Sequence, residues 1–147
     1  MSNQMTNAAK GMLLKGQINY AAHTMKIALM NSSFVFDRDN HHSYNDVAAY
    51  EIANANGYIT TGKVITLDHI EVDNTQDFAV AKFLSVAWTA TGGVLAASGA
   101  ILYDDSTDTI NGDDHTKAVI MWVDGNGTIS AADGASITIS DIAPGIK

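Results

Sequence analysis

Hydrophobic and polar residues alternate along several short segments of this chain, a spacing that is typical of β-strands because successive side chains of a strand point to opposite faces. In HTMKIALM (residues 23–30), Met25, Ile27 and Leu29 fall on one face. In KVITLDHIEVD (residues 63–73) polar and apolar residues also alternate, although neither face is purely apolar. Both segments are predicted to be strands.

Further strands are predicted in the second half of the chain. DFAVAKFLSVAW (residues 77–88) carries large residues on one face and small ones on the other, which suits one strand packed from both sides. Three more short strands are predicted at SGAILYD, KAVIMWVD and ASITIS, separated by turns rich in Gly and Asp. Strands at this spacing, with no helix between them, predict a mainly β fold: an antiparallel β-sandwich or a jelly-roll-like domain.

Two short helices are predicted beside the strands. The first lies within residues 1–20, where Ala9, Met12, Leu13 and Gly16 share an apolar face and Thr6 or Asn7 can cap the start. Its apolar face must cover either the sheet of the same domain or a neighbouring subunit. The second is a short internal helix in SYNDVAAYEI. We therefore divide the chain into an N-terminal helical segment or arm at 1–20 and a β-sandwich domain at 21–147.

Composition and charge restrict the class of partner. The chain has 147 residues, of which 46% are hydrophobic and 16% charged, as expected for one folded domain. Its 8 Lys and Arg against 16 Asp and Glu give a net charge of -8, which repels the phosphate backbone of nucleic acids. There is no cysteine, which excludes disulfides and thiolate metal sites. No segment reads as a signal peptide or a membrane span, so we expect a protein made in the cytoplasm without a membrane partner.

The segment DGNGTISAADG resembles the calcium-binding loop of an EF-hand. In the matching register, Gly127 takes the place of the sharp-turn glycine. Asp124, Asn126 and Asp133 then fall at the third, fifth and twelfth loop positions. The first position is Trp122, which offers calcium no oxygen ligand. The flanks are β-like where an EF-hand has helices, so we predict a Gly-rich turn between the last two strands and no metal site.

Two other clusters offer oxygen or nitrogen ligands. The first is the acidic loop DDSTDTINGDDH, with the candidate ligands Asp104, Asp105, Asp108, Asp113, Asp114 and His115. No fixed spacing selects ligands there, so we predict a solvated loop. The second is DRDNHH, with the candidates Asp37, Asp39, His41 and His42. Adjacent residues of an extended segment point to opposite sides, so we predict an ordinary loop. His69 is predicted to be a half-buried imidazole within a strand.

Catalytic templates are missing from the sequence. It contains no G-x-S-x-G, no H-E-x-x-H, no G-x-x-x-x-G-K-[ST] and no Rossmann glycine pattern. We therefore expect no enzymatic activity, and we assign no catalytic, cofactor-binding or metal-ligating residue.

A series of short features follows one another in a fixed order between residues 8 and 124. A strand is followed by an aromatic residue, an acidic turn ending in His, an Asp-Val pair before a Glu, and a Gly-Tyr turn that opens the next strand. The matching positions are 25–29, Phe34, Asp37, Asp39, His41, Asp46, Val47, Glu51, Gly57, Tyr58, Gly62, Trp88 and Tyr103. This layout resembles a group of small virion proteins of tailed bacteriophages.

The resemblance implies a non-enzymatic virion component, and we expect a capsid decoration (cement) protein. Such a protein is a homotrimer on the capsid exterior that binds the major capsid protein, where an acidic domain avoids repulsion by packaged DNA. Two alternatives stay open. One is a neck, tail or fibre-base component of the virion. The other is a carbohydrate- or cation-binding β module, in which exposed Trp88 or Trp122 and the Asp-rich loop would form the site.

Overall fold

A computed structural model describes residues 3–106 and 116–146 of the chain, and within them the fold is mainly β, with antiparallel sheets and a sandwich-like arrangement. The strands are β1 (Gln4–Met5), β2 (Met25–Met30), β3 (Lys63–Val64), β4 (Leu67–Asp73), β5 (Phe78–Phe83), β6 (Val86–Thr89), β7 (Leu95–Asp104), β8 (Val119–Ala131), β9 (Ser136–Ile139) and β10 (Gly145–Ile146). The helices are α1 (Asn7–Leu14), α2 (Tyr44–Val47) and a 3₁₀ helix at Ala48–Tyr50. The predicted fold class, including its two short helices, is confirmed.

The strands form one larger sheet and two smaller ones. The larger sheet has five strands in the order β1-β8-β7-β2-β3. The smaller sheets have the orders β10-β5-β4 and β6-β9. Every pairing between these strands is antiparallel.

The central part of the five-stranded sheet is buried on both faces. Met25, Ile27 and Leu29 of β2 point into the main core, together with residues of β5, β6 and β9, so the predicted inner face of this strand is confirmed. Ala28 and Met30 point the other way into a second core, which Phe34, Tyr44 and Val47 cover. The segment between β2 and β3 thus covers the outer face of the sheet. Burial on both sides explains why β2 reads as a nearly continuous apolar run.

The N-terminal helix packs against its own chain. Thr6 caps α1: its Oγ1 accepts a hydrogen bond from the N–H of Ala9 at 3.0 Å and donates to the carbonyl of Val119 on β8 at 2.7 Å. Ala9 and Met12 are buried in the main core. Of the two coverings considered for this apolar face, the sheet of the same domain is therefore the one present. No helix within the described residues is long and apolar enough to cross a membrane.

The prediction of one continuous strand in DFAVAKFLSVAW is wrong. The chain belongs to the three-stranded sheet up to Phe83 and to the two-stranded sheet from Val86 onward. Between them Leu84 donates its N–H to the carbonyl of Thr66 at 3.0 Å, which holds the corner. Large and small residues keep alternating across this corner, with Leu84 and Val86 on either side of Ser85, so the pattern carries no sign of the change of sheet.

The segment DGNGTISAADG is only in part the turn that we predicted: β8 runs through it up to Ala131, and only its last three residues belong to the turn before β9. Asp124 pairs with Gly99, and Ile129 pairs with Ala97. Residues 125–128 therefore lie opposite the single residue Ser98 and form a large bulge in β8. Asn126 and Gly127 adopt positive φ angles of 56° and 108° in this bulge. The turn that leads from β8 to β9 lies after it, at residues 132–135.

Candidate functional site

A groove with a volume of about 480 Å³ lies between the outermost strands of two sheets. On one side is β1, which ends the five-stranded sheet, and on the other is β10, which ends the three-stranded sheet. The lining residues are Asn3, Gln4, Met5, Lys10, Arg38, Phe78, Val80, Met121, Ala143, Gly145 and Ile146. The groove therefore has an apolar floor with two cations and two amide side chains along it.

Backbone hydrogen bonds fix the N-terminal wall of the groove. Thr6 donates its N–H to the carbonyl of Ile120 on β8 at 3.0 Å. Asn7, the first residue of α1, donates its N–H to the carbonyl of Arg38 at 3.0 Å, which ties the helix to the segment after β2. Arg38 Nη2 in turn donates to Gln4 Oε1 at 2.9 Å. These contacts place the guanidinium of Arg38 beside β1, over the groove.

The groove concentrates positive charge on an acidic protein. Lys10 and Arg38 are two of only 8 Lys and Arg in a chain with 16 Asp and Glu. Both are exposed, and neither takes part in the ion pairs formed among the described residues, which instead join Lys26, Lys82 and Lys117 to carboxylates. Two cations without a carboxylate partner can receive acidic groups of another molecule, and guanidinium binds carboxylate especially well.

The outer edges of β1 and β10 add a second means of recognition. β1 and β10 each pair on one side only among the described strands, and the edge of a sheet presents N–H and C=O groups that can hydrogen-bond an added strand. An extended peptide that enters such a groove gains main-chain hydrogen bonds, apolar contacts for alternate side chains and, here, a cationic rim for acidic ones. The site is suited to binding an acidic extended segment.

Several positions of the phage-like layout meet at a second place, around the carboxylate of Glu51. Glu51 Oε1 accepts hydrogen bonds from the hydroxyl of Tyr58 at 2.5 Å and from the N–H of Thr61 at 2.7 Å. Glu51 Oε2 accepts from the hydroxyl of Tyr44, and Tyr103 donates its hydroxyl to the carbonyl of Thr61 at 2.7 Å. This cluster joins the segment after β2 to the loop before β3, and its role is structural.

Burial keeps these tyrosines protonated. The pKa of Tyr58 is raised far above its usual value, first by burial and then by its hydrogen bond to Glu51. The pKa of Tyr44 is raised for the same two reasons in the same order, and that of Tyr103 is raised by burial and by the nearby charge of Asp105. Each hydroxyl therefore stays a hydrogen-bond donor at neutral pH, so the hydrogen bonds of this cluster are kept there.

The acidic residues of the EF-hand-like segment accept hydrogen bonds from backbone groups of the same chain. Asp124 Oδ1 accepts from the N–H of Asn126 at 2.9 Å, which stabilises the bulge in β8. Asp133 Oδ1 accepts from the N–H of Gly92 at 2.8 Å, across to a different loop. Among the described residues no group of three or more His, Asp or Glu side chains is placed to hold a metal ion.

The described acidic side chains of this loop form one hydrogen bond to a histidine and two ion pairs with lysines. Asp104 is fully buried, with its Oδ2 at 2.6 Å from His23 Nδ1. Asp105 lies 3.3 Å from both Lys26 Nζ and Lys117 Nζ. These pairs join β2, β7 and the approach to β8. The other candidate ligands of this loop, Asp108, Asp113, Asp114 and His115, lie outside the described residues.

The histidine-containing segment after β2 is a hydrogen-bonded turn. Asp37 accepts from Asn40 Nδ2 at 2.7 Å and from the N–H of Asp39 at 2.9 Å, and these bonds lower the pKa of its carboxyl. His41 Nδ1 accepts from the N–H of Asp37 at 3.1 Å, and its ring stacks on Phe34 with centroids 5.2 Å apart. His42 Nε2 contacts the carbonyl oxygen of Asp39. The turn is thus structural, in line with the loop predicted here.

Two other predictions about single side chains are wrong. His69 is exposed on β4 instead of half-buried, because both faces of this edge strand meet solvent. Trp88 and Trp122 are only 1% and 8% exposed, since they fill the main core and the second core. An exposed tryptophan is what a carbohydrate platform needs, so neither residue supports the carbohydrate-binding alternative.

Comparison of the chain with protein-family models, with curated proteins and with solved structures gives no match. The fold class and the geometry of the groove are therefore the structural basis for a proposal on function.

Proposed function

We propose that this chain is a non-enzymatic structural protein of a tailed-bacteriophage virion, a capsid decoration protein that binds the outer surface of the major capsid lattice and stabilises it. The observation that carries the proposal is the groove between β1 and β10, because it combines free strand edges, an apolar floor and the cations Lys10 and Arg38. The resemblance of the chain to small phage virion proteins supports the choice of partner.

The positions that carry this resemblance have identifiable roles in the fold. Glu51 and Tyr58 belong to the buried hydrogen-bond cluster, and Trp88 fills the main core. Gly62 lies where an added Cβ would be 1.9 Å from the carbonyl oxygen of Ile27. A likeness in such positions is a likeness in architecture, which supports the proposed class of virion protein more than any single binding residue does.

Charge supports the outer surface of the shell as the binding place. A chain with net charge -8 avoids packaged DNA, whereas its two groove cations can direct it to an acidic segment of the lattice. Binding to the assembled lattice but not to its separated subunits adds to particle stability, by about 3 kcal/mol per site when the free protein is at 100 times its Kd. The homotrimer expected from the resemblance remains a prediction.

Binding to empty shells tests this proposal. Purified chain is expected to co-sediment with shells of the parent phage that lack it, and to raise the temperature at which they break. The double substitution Lys10→Glu and Arg38→Glu is expected to weaken binding by roughly tenfold or more, because charge-assisted hydrogen bonds contribute about 1.5 to 3 kcal/mol each. Lys15→Glu makes the same kind of charge change one residue after α1, outside the groove, and serves as the control.

The outcomes separate the function from the site. If the unaltered chain fails to bind shells, the decoration function is refuted. If it binds and Lys15→Glu weakens binding as much as the groove substitutions do, the function stands and the groove is not the attachment site.

A further inference from the structure

The strand β4 is an exposed edge strand of the three-stranded sheet. It ends the three-stranded sheet, and no other described strand pairs with its outer side. Both of its faces are open to solvent, and Ile70 and Val72 are 54% and 63% exposed. A seven-residue edge strand with two exposed β-branched side chains is a template for pairing with another chain.

The direction of the backbone groups on β4 follows from the hydrogen bonds of β5. Ala81 and Phe83 donate their N–H groups to carbonyls of the C-terminal segment at 2.9 and 3.0 Å, so these residues face away from β4. Because the direction alternates along a strand, Val80 and Lys82 face β4. Their register partners are Glu71 and His69.

It follows that the backbone groups of the residue between these two partners point away from β5. Ile70, and with it Val72, directs its N–H and C=O toward the free edge. Two strands that approach through this edge can therefore form a hydrogen-bonded pair at Ile70 without disturbing the ladder to β5.

We propose that β4 pairs antiparallel with β4 of a second copy of this chain, across a two-fold axis at Ile70. The backbone of Ile70 exchanges two hydrogen bonds with the partner's Ile70. The three-stranded sheets of the two copies join into one continuous six-stranded sheet. Two-fold pairing closes on itself and gives a dimer, where the resemblance implies a trimer.

The side chains along β4 favour this register. With the axis at Ile70, His69 lies opposite the partner's Glu71, where the imidazole can donate a hydrogen bond to the carboxylate, and symmetry repeats this pair. With the axis moved one residue to Glu71, two glutamates face each other across the narrow non-hydrogen-bonded pair, which is unfavourable. Lys82, 3.5 Å from Glu71 within each chain, adds positive charge on the same face and leaves it balanced in the dimer.

The pairing is compatible with the groove. β4 and β10 flank β5 on opposite sides, so a dimer formed through β4 leaves the groove at β10 accessible in both copies. A dimer would present two grooves at once. The inference does not depend on the proposed function, because it concerns contact between two copies in solution.

Sedimentation equilibrium of the purified full-length chain tests the pairing. The unaltered chain is expected to have the mass of a dimer. Ile70→Pro removes the outward N–H on both sides of the axis and is expected to give a folded monomer, since proline is tolerated on an edge strand where the N–H faces solvent. Circular dichroism and a thermal melt check that the fold is kept.

Charge substitutions supply the specific control. Glu71→Lys removes the carboxylate that faces the partner's His69 in both copies and is expected to raise the dimer dissociation constant about tenfold or more. The double substitution His69→Glu and Glu71→His exchanges the two side chains and is expected to restore the dimer. A chain that stays monomeric, or an oligomer that Ile70→Pro and Glu71→Lys leave unchanged, would overturn the inference. None of these results depends on whether the chain binds capsids.

Discussion

Gly62→Ala is expected to lower the free energy of unfolding by roughly 3 kcal/mol or more, which is a large part of the stability of a domain of this size. An added Cβ would lie 1.9 Å from the carbonyl oxygen of Ile27 and 2.6 Å from its carbonyl carbon, so the backbone of β2 or of this turn must move. The residue also has a φ of 71°, which a side chain disfavours. Unfolding in urea, followed by circular dichroism, measures the loss.

Gly16→Ala is the matched control for this substitution. Gly16 has the same φ of 71°, but no atom lies within 4 Å of the position of its added Cβ. Only the backbone conformation is then penalised, at about 1 kcal/mol. Equal losses at the two glycines would show that close approach to β2 is not what requires Gly62.

Glu51→Leu is expected to destabilise the protein by about 3 kcal/mol or more, because it removes the acceptor for three hydrogen bonds at once. The hydroxyls of Tyr58 and Tyr44 and the N–H of Thr61 would all lose their partner. Tyr58 and Tyr44 are buried, so water cannot easily replace the carboxylate. Urea unfolding again gives the change in free energy.

Glu51→Gln separates hydrogen bonding from size and hydrophobicity. The amide keeps one acceptor oxygen for Tyr58 and Thr61, and its NH₂ group can donate to the Tyr44 hydroxyl once that hydroxyl rotates. We expect a loss of about 1 kcal/mol. If the leucine and glutamine variants were equally stable, the tyrosine cluster would not hold the segment before β3 in place.

The pattern of the sequence predicts the strands whose two faces are clearly defined. The inner face of β2, the positions of β7 and β9 and the helix after Ser43 all follow from local residues. Alternation fails where the chain changes partner without changing periodicity, as it does between Phe83 and Val86. Periodicity indicates which face of a strand is buried, but it does not indicate which sheet the strand joins.

The bulge in β8 shows a similar limit of turn signals. Asn126 and Gly127 need positive φ angles, and the sequence signal for such angles is the same in a hairpin turn and in a bulge. Long-range pairing with Gly99 and Ala97 decides between the two, and nothing local to the segment encodes that pairing.

The candidate site could not have been found from the sequence. Its two cations come from α1 and from the segment after β2, while its apolar floor includes Phe78 and Ile146, far along the chain. No spacing relates these positions, and each residue taken alone has an ordinary place in an amphipathic pattern. The sequence shows only that cations are scarce. Two cations that lie close together in the fold therefore mark a candidate site for an acidic partner.

An image of the intact phage particle at side-chain resolution, with this chain located in it, tests the central claim most directly. A decoration protein is expected as tens to hundreds of copies over the outside of the shell, with Lys10 and Arg38 facing the major capsid protein. A dozen copies or fewer in a ring at one vertex would instead assign the chain to the neck or tail, and its absence from the particle would contradict a structural role altogether.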